Sequence, residues 1–318
     1  MSTLPSLSDF DFVTVVGPTA CGKTSFAVAL ADHIGAEIIS ADSRQVYRRM
    51  DLGTGKDLGE YCVEGRPVAH HLIDIVDPGT KYNLYRYQHD FLEAFEDIRR
   101  RGKRTVVCGG TGLYVESVVR NYNISNVPQN PALRSSLEGR TLAELTAELA
   151  ALKARSGSTM HNTTDVDSCK RAIRAIEIET YNLTREVGHR EFPQMKAFNI
   201  GLSIDRDTRR ECISTRLKQR LEAGMLDEVQ ALLDEGIAPE DLIYYGLEYK
   251  FVTLHLTGEL SYDEMHAQLE TAIHQFAKRQ MTWFRGMERR GCPIHWIDAA
   301  APFEAQLRQL RGVLDFGQ

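Results

Sequence analysis

Val13-Thr14-Val15-Val16-Gly17-Pro18-Thr19-Ala20-Cys21-Gly22-Lys23-Thr24 is the stretch that decides how the rest of the chain is read. An apolar, β-branched run enters a glycine-rich turn, and Ser25-Phe26-Ala27-Val28-Ala29-Leu30 beyond it continues as a helix. The spacing Gly17-x4-Gly22-Lys23-Thr24 converges several backbone N–H groups on one anionic oxygen cluster. That cluster lies at the N-terminus of a helix predicted over Thr24–His33, where the macrodipole already favours negative charge. Lys23 adds a point charge, and the Thr24 hydroxyl stands where a phosphate-bound Mg²⁺ takes an oxygen ligand. The stretch reads as a phosphate loop formed by Gly17, Pro18, Thr19, Ala20, Cys21, Gly22, Lys23 and Thr24, against the plainer reading of a glycine-rich β–α turn.

Outward from this loop, Ala36–Ser40 is a short β-branched run of the kind that forms a buried strand, and it ends in Ala41-Asp42-Ser43-Arg44-Gln45-Val46-Tyr47. Ligands of open parallel sheets gather at the carboxyl ends of strands, so Asp42 points to the same crevice, either as a reagent or as the cap of the turn Ser43–Tyr47. The glycine-rich stretch Asp51–Asp57 is a loop, and His71–Asp77 is expected as a third strand stopped by Pro78. Asp74 lies inside that run, as a metal carboxylate or as a packing residue. Leu84–Arg101 has helical spacing and ends at Gly102, after which Arg104–Cys108 is a fourth strand. The order β-α-β-β-α-β is the rhythm of a parallel α/β sheet. A second glycine-rich turn, Gly109-Gly110-Thr111-Gly112, precedes a helix over Leu113–Arg120, and Thr111 offers a hydroxyl where charge develops.

Composition bounds the class. With 318 residues and 42% hydrophobic content, the chain can bury a large core as two domains or as one domain with an insertion. No apolar run approaches the roughly 20 residues of a membrane span. The start Met1–Asp9 has no signal-like core, so a cytoplasmic protein without a membrane partner is expected. Cys21, Cys62, Cys108, Cys169, Cys212 and Cys292 form no C-x-x-C pair, which argues against a disulfide framework or a zinc ribbon. The net charge of −6 argues against a coat of nucleic acid, yet residues 134–220 carry 16 Lys+Arg against 12 Asp+Glu, which suits a local polyanion contact.

The later chain gives Tyr122–Pro131 as a polar linker, helices over Thr141–Arg155 and Asp165–Tyr181, and a loop over Asn182–Met195. Lys170, Arg171 and Arg174 share one helical face, which is either a phosphate contact or a solvated surface. Phe198–Asp205 resumes the core. Arg216 and Arg220, four apart on a helix over Thr208–Ala223, either reach a phosphate together or pair with carboxylates. Ser261-Tyr262-Asp263-Glu264 is a capping box that starts a helix to about Arg285, with Lys278, Arg279 and Arg285 interleaved with Trp283 and Phe284. Cys292–Ile297 is expected as the last strand and Phe303–Leu314 as the closing helix.

Gly-Pro-Thr-Ala-Cys-Gly-Lys-Thr at 17–24, Ser-Ala-Asp-Ser-Arg-Gln-Val-Tyr at 40–47, Gly-Gly-Thr-Gly-Leu-Tyr at 109–114 and Ala277-Lys278-Arg279-Gln280-Met281-Thr282-Trp283-Phe284-Arg285 stand in the order found in tRNA dimethylallyltransferases. The chain resembles that family from about residue 12 to 297. The resemblance implies a P-loop NTPase-like parallel α/β core over residues 10–121 and 196–318. A mainly helical insertion over 122–195 would contact the anticodon stem-loop of tRNA. It implies dimethylallyl diphosphate as the donor, bound by residues 17–24 with Arg216 and Arg220, and Mg²⁺ held partly by Thr24. Asp42, Thr111 and Lys23 take catalytic roles in this picture. The tRNA would meet Asp42, Ser43, Arg44 and Gln45 at the target base and Lys170, Arg171, Arg174, Lys278, Arg279, Gln280, Trp283 and Arg285 elsewhere. A monomer is expected. Two departures stand out: Cys21 replaces the usual serine of the loop, and Tyr244–Lys250 follows only loosely a family segment that approaches tRNA.

Prenylating the exocyclic amine of adenine needs a base, because that nitrogen's lone pair is delocalised into the ring; Asp42 is the choice for it. The target base must also leave its stack, which is cheapest in a single-stranded loop. Three rival readings remain at this stage. They are a small-molecule kinase using ATP, a prenyl transfer to a free adenine nucleotide, and a nucleotide-gated RNA-binding module without catalysis. From the helix N-terminus and Lys23, the Cys21 thiol is expected to react faster than an ordinary cysteine.

Overall fold

Phe12–Val16 forms a strand, β1, in which all five side chains are buried, because the strand has a neighbour on each side and helices on both faces of the sheet. A computed structural model describes residues 4–157, 166–184 and 192–316. After β1 come α1 (Lys23–Ile34), β2 (Ala36–Ser40), β3 (Cys62–Val63), β4 (Arg66–Pro67), β5 (His70–His71), α2 (Leu84–Arg100), β6 (Arg104–Gly109) and α3 (Gly112–Val119). The middle of the chain gives α4 (Pro131–Leu137), α5 (Leu142–Ser156) and α6 (Cys169–Thr184). Then follow β7 (Ala197–Ser203), α7 (Arg206–Glu222), α8 (Met225–Asp234), α9 (Pro239–Tyr244), α10 (Leu247–Leu256), α11 (Tyr262–Arg289), β8 (His295–Asp298) and α12 (Phe303–Arg311).

Among the described residues, one sheet runs in the order β5-β2-β6-β1-β7-β8, and every pairing in it is parallel. Strands β2, β6 and β1 are therefore adjacent, and the turns that leave their carboxyl ends share one edge of the sheet. The buried Thr14 hydroxyl in β1 donates to Asn199 Oδ1 of β7 at 2.9 Å, and Asn199 Nδ2 donates to the Pro293 carbonyl at 3.0 Å, so the polar atoms of the central strands are satisfied across the sheet.

Three expectations change. The third strand is only His70–His71, because Leu72 and Asp74 adopt φ of 62° and 55°, which turns the backbone out of the ladder. Asp74 does not pack in a core; it forms an ion pair with Lys56, whose fully buried ammonium also donates to Asp51 Oδ1 and the Tyr47 carbonyl at 2.6 Å each. The last strand starts at His295, since Pro293 offers no N–H to a ladder. The hairpin β3–β4 was not foreseen, although Glu64-Gly65 at its tip, with φ of 48° and 79°, is the two-residue turn such hairpins favour.

The chain divides into a larger unit, Met1–Tyr122 with Gln194–Gln318, and a smaller one, Asn123–Pro193. In the larger unit Asn121 clips the two crossings together, its side chain exchanging hydrogen bonds with the Met195 N–H and C=O at 3.1 Å each. The smaller unit starts helical structure earlier than expected, at Pro131, where Asn130 caps α4. Its α6 starts at Cys169 and runs to Thr184, past the expected end at Tyr181; the expected start at Asp165 and residues 185–191 of the expected loop over Asn182–Met195 lie outside the described residues. Leu137, Leu145, Leu149, Ala172 and Ile176 form its core.

Glu177 is buried beside that core and ties α4 to α6. Its carboxylate accepts Arg134 Nε and Nη2 at 3.0 and 2.9 Å, and also pairs with Arg174. Burial works against this carboxylate, but Arg134, the Asn130 N–H and Arg174 outweigh it and hold its pKa at about 2. A depressed pKa contributes stability that is complete above the unfolded value of about 4.3 and is lost as pH falls towards 2. We expect Glu177→Gln to destabilise the smaller unit by about 3 kcal/mol at neutral pH, with the difference from wild type vanishing near pH 2. Urea unfolding across that range checks it, and a pH-independent difference would contradict the ion-pair account.

Candidate active site

The phosphate loop closes on α1 through Gly22, which caps the helix at φ 77°, a conformation that side chains rarely adopt. A glycine cap supplies no side-chain acceptor, so the first-turn N–H groups of α1 keep their capacity for an anion. Lys23 Nζ donates to the Pro18 carbonyl at 2.6 Å, which holds the ammonium at the mouth of the loop.

The second glycine turn is fitted against the first residues after β2. A Cβ on Gly109 would lie 2.2 Å from the Ala41 carbonyl oxygen, so only glycine lets the two backbones approach. The approach brings Thr111 beside Asp42 and Ser43. Thr111 N–H donates to the Ala41 carbonyl at 3.3 Å, and the Ser43 N–H donates to Thr111 Oγ1 at 3.0 Å. Asp42 Oδ1 accepts the Arg44 N–H at 2.9 Å, so Asp42 does cap its turn, and the same side chain lines the cavity. Its two readings are compatible, because one hydrogen bond fixes a carboxylate without consuming it.

The opposite wall comes from α7. Arg216 Nη2 lies 3.0 Å from Asp57 Oδ2, and Arg220 Nη2 lies 3.7 Å from the same oxygen. Arg220 Nη2 is buried with no hydrogen-bond partner among the described residues. Burial, helped by the neighbouring Arg216 charge, pushes the Arg220 pKa down to about 10, still far above neutral pH. A charged guanidinium beside a phosphate loop, with a buried nitrogen that has no hydrogen-bond partner among the described residues, is where an anion would be held. The cavity enclosed by these walls measures about 560 Å³. Thr19, Lys23, Thr24, Asp42, Thr111, Arg216 and Arg220 line it together with the apolar Leu113, Ile243, Ile273, Phe276 and Trp283. A second cavity of about 750 Å³ adjoins it, and Lys23, Thr24, Arg216 and Arg220 line both.

Several residues expected to face RNA are otherwise engaged. Gln45 accepts the Ser40 hydroxyl at 3.1 Å and donates to the Gly55 carbonyl at 3.2 Å, so these bonds fix its amide while the side chain lines the cavity. Gln280 is likewise committed to the two glycine turns. Arg174 is tied to Glu177 and to the Val127 carbonyl at 2.7 Å, which makes it a structural member of the smaller unit. Arg171 is exposed and paired with Asp167, and Lys170 is exposed. On α11, Lys278, Arg279 and Arg285 are exposed, with the Arg279 guanidinium 5.9 Å from the Phe276 ring. Trp283 lines the cavity with its Nε1 buried and unpartnered among the described residues, whereas Phe284 belongs to the core. Arg44 lies 5.2 Å over the ring of Tyr244, which is 60% exposed at the cavity rim. Glu228 had no sequence signal at all: its carboxylate accepts the N–H groups of Asp51, Leu52 and Gly53, residues about 175 positions earlier, and so fixes the loop beside Arg216 and Arg220.

Cys21 sits in surroundings that oppose the reactivity its position suggested. It is 3% exposed, and its sulfur fills the space where a Cβ on Gly17 would stand. Burial raises the thiol pKa, and the Lys23 charge and the local N–H groups offset only part of that. Limited alkylation is expected to label the exposed Cys62 and Cys169 and to spare Cys21, as peptide mass spectrometry would show. Early labelling at Cys21 would contradict this assignment.

A parallel sheet with a phosphate loop leaving its central strand, faced by a fixed carboxylate and a buried guanidinium, defines a P-loop-type α/β protein that handles a phosphorylated substrate. The chain belongs to the IPP transferase family. The family model of that description matches residues 45–287, and one described as isopentenyl transferase matches residues 11–65. It is 56% identical to tRNA dimethylallyltransferase 1 of Parabacteroides distasonis over 97% of this chain and 99% of the relative. It is 59% identical to tRNA dimethylallyltransferase 2 of Bacteroides fragilis over 95% and 96%. The fold matches the crystal structure of the full-length tRNA isopentenylpyrophosphate transferase of Bacillus halodurans with a TM-score of 0.68 at 32% identity, covering 95% of this chain and 94% of that one. No helix among the described residues is long and apolar enough to cross a membrane.

Proposed function

We infer that the protein is a tRNA dimethylallyltransferase that moves the dimethylallyl group of dimethylallyl diphosphate to the exocyclic amine of an adenine next to the anticodon, releasing diphosphate. One observation carries the chemistry: the phosphate loop, the buried Arg220 and the carboxylate of Asp42 line a single cavity. Asp42, oriented by the Arg44 N–H, takes a proton from the amine as the new C–N bond forms. Meanwhile the allylic C–O bond breaks and charge collects on diphosphate. The first-turn amides of α1, Lys23, Arg216 and Arg220 meet that charge from two sides. Thr111, whose hydroxyl accepts the Ser43 N–H at 3.0 Å and donates only over 3.3 Å to Ser43 Oγ, can turn its own hydroxyl proton to the departing oxygen. The apolar lining from Leu113, Ile273 and Phe276 suits a hydrocarbon group.

Mg²⁺ belongs to this proposal. Thr24 lines both cavities, and Asp57 and Glu60 line the second, so hard oxygen donors stand beside the loop as that ion requires. When bound, it would neutralise part of the diphosphate charge. The exposed Lys170, Arg171, Lys278, Arg279 and Arg285, with Ser43 and Arg44 at the cavity, are the groups offered to tRNA. A cytoplasmic monomer completes the reading. The test is to incubate labelled dimethylallyl diphosphate with an anticodon stem-loop, AMP and ATP separately. Label is expected on the stem-loop alone. Label on AMP would mean a free-nucleotide enzyme, and phosphate transfer from ATP would mean a kinase.

A further inference from the structure

Gln280 sits on α11 with 6% of its surface exposed, between Ala277 and Phe284, which are fully buried one turn to either side. Its Oε1 accepts the Thr19 N–H at 2.7 Å and its Nε2 donates to the Gly110 carbonyl at 2.9 Å. Thr19 belongs to the turn after β1 and Gly110 to the turn after β6, two adjacent strands, so one amide spans both phosphate-facing turns. A carboxylate has no donor for such a bridge and an ammonium has no acceptor; the primary amide has both at the end of one stem. The fit is tight, since a Cβ on Gly110 would lie 2.5 Å from Gln280 Nε2.

We propose that Gln280 is a positioning residue that sets the spacing of the two glycine turns so that both meet one diphosphate, and that it plays no part in holding RNA. The inference rests on reading the cavity as a diphosphate site. The test measures binding of pyrophosphate with Mg²⁺ by calorimetry and of an anticodon stem-loop by fluorescence anisotropy, in wild type, Gln280→Met and Gln280→Glu. Methionine keeps the length and removes both bonds; glutamate keeps the acceptor, loses the donor and adds a charge. Pyrophosphate affinity is expected to fall about tenfold in Gln280→Met and at least as far in Gln280→Glu, with stem-loop affinity within about twofold of wild type. If Gln280→Met fails to fold, Gln280→Glu carries the comparison by itself. Wild-type protein that does not bind pyrophosphate would overturn the functional reading itself. Wild type that binds, with variants that bind pyrophosphate as well or lose RNA instead, would overturn the role of Gln280.

Discussion

Asp42→Ala is expected to lower turnover by at least about 10²-fold while pyrophosphate affinity changes little, because the base acts on the amine and not on the leaving group. The structure supplies the control this experiment needs. Asp42 also caps its turn by accepting the Arg44 N–H, so alanine removes both a base and a cap. Asp42→Asn keeps an oxygen acceptor for Arg44 and removes only the basicity. Both variants should be equally slow in single-turnover measurements with saturating donor and stem-loop. Full activity in Asp42→Asn would leave Asp42 as a cap and require another base.

Lys23→Ala is the second large effect. Its ammonium is aimed at the loop mouth by the Pro18 carbonyl and lines both cavities, so it meets the charge that grows on diphosphate as the C–O bond breaks. Loss of one preorganised donor of this kind costs about 10²-fold in rate, and because the ground-state diphosphate is also charged, pyrophosphate affinity falls with it. Asp42→Asn and Lys23→Ala thus separate on the binding assay. An intact single-turnover rate in Lys23→Ala at saturating donor would refute the assignment.

The elements that position the site were legible because their signals are local. Phe12–Val16, Ala36–Ser40 and the capping box at Ser261 lie where their patterns put them, and the fold sets the two glycine turns on adjacent strands. What was not legible depends on partners far along the chain. Nothing near Gln45 or Gln280 says that their amides bond to Gly55, Thr19 and Gly110. Lys170 and Arg174 look alike on a helical face, yet Arg174 faces a buried Glu177 whose partner Arg134 comes from another helix. For Cys21 the local rule was sound and the wrong effect won: burial outweighs the helix N-terminus and Lys23. At Asp74 the strand pattern continued, but Lys56 drew the carboxylate into an ion pair on a turned backbone.

The most direct test of the central claim is nucleoside analysis by mass spectrometry of an anticodon stem-loop after incubation with the protein, dimethylallyl diphosphate and Mg²⁺. The account predicts a dimethylallyl group on the exocyclic amine of the adenine next to the anticodon, formed by wild type and absent with Asp42→Asn. An unmodified stem-loop with wild-type protein, or the same product formed at an undiminished rate by Asp42→Asn, would contradict it.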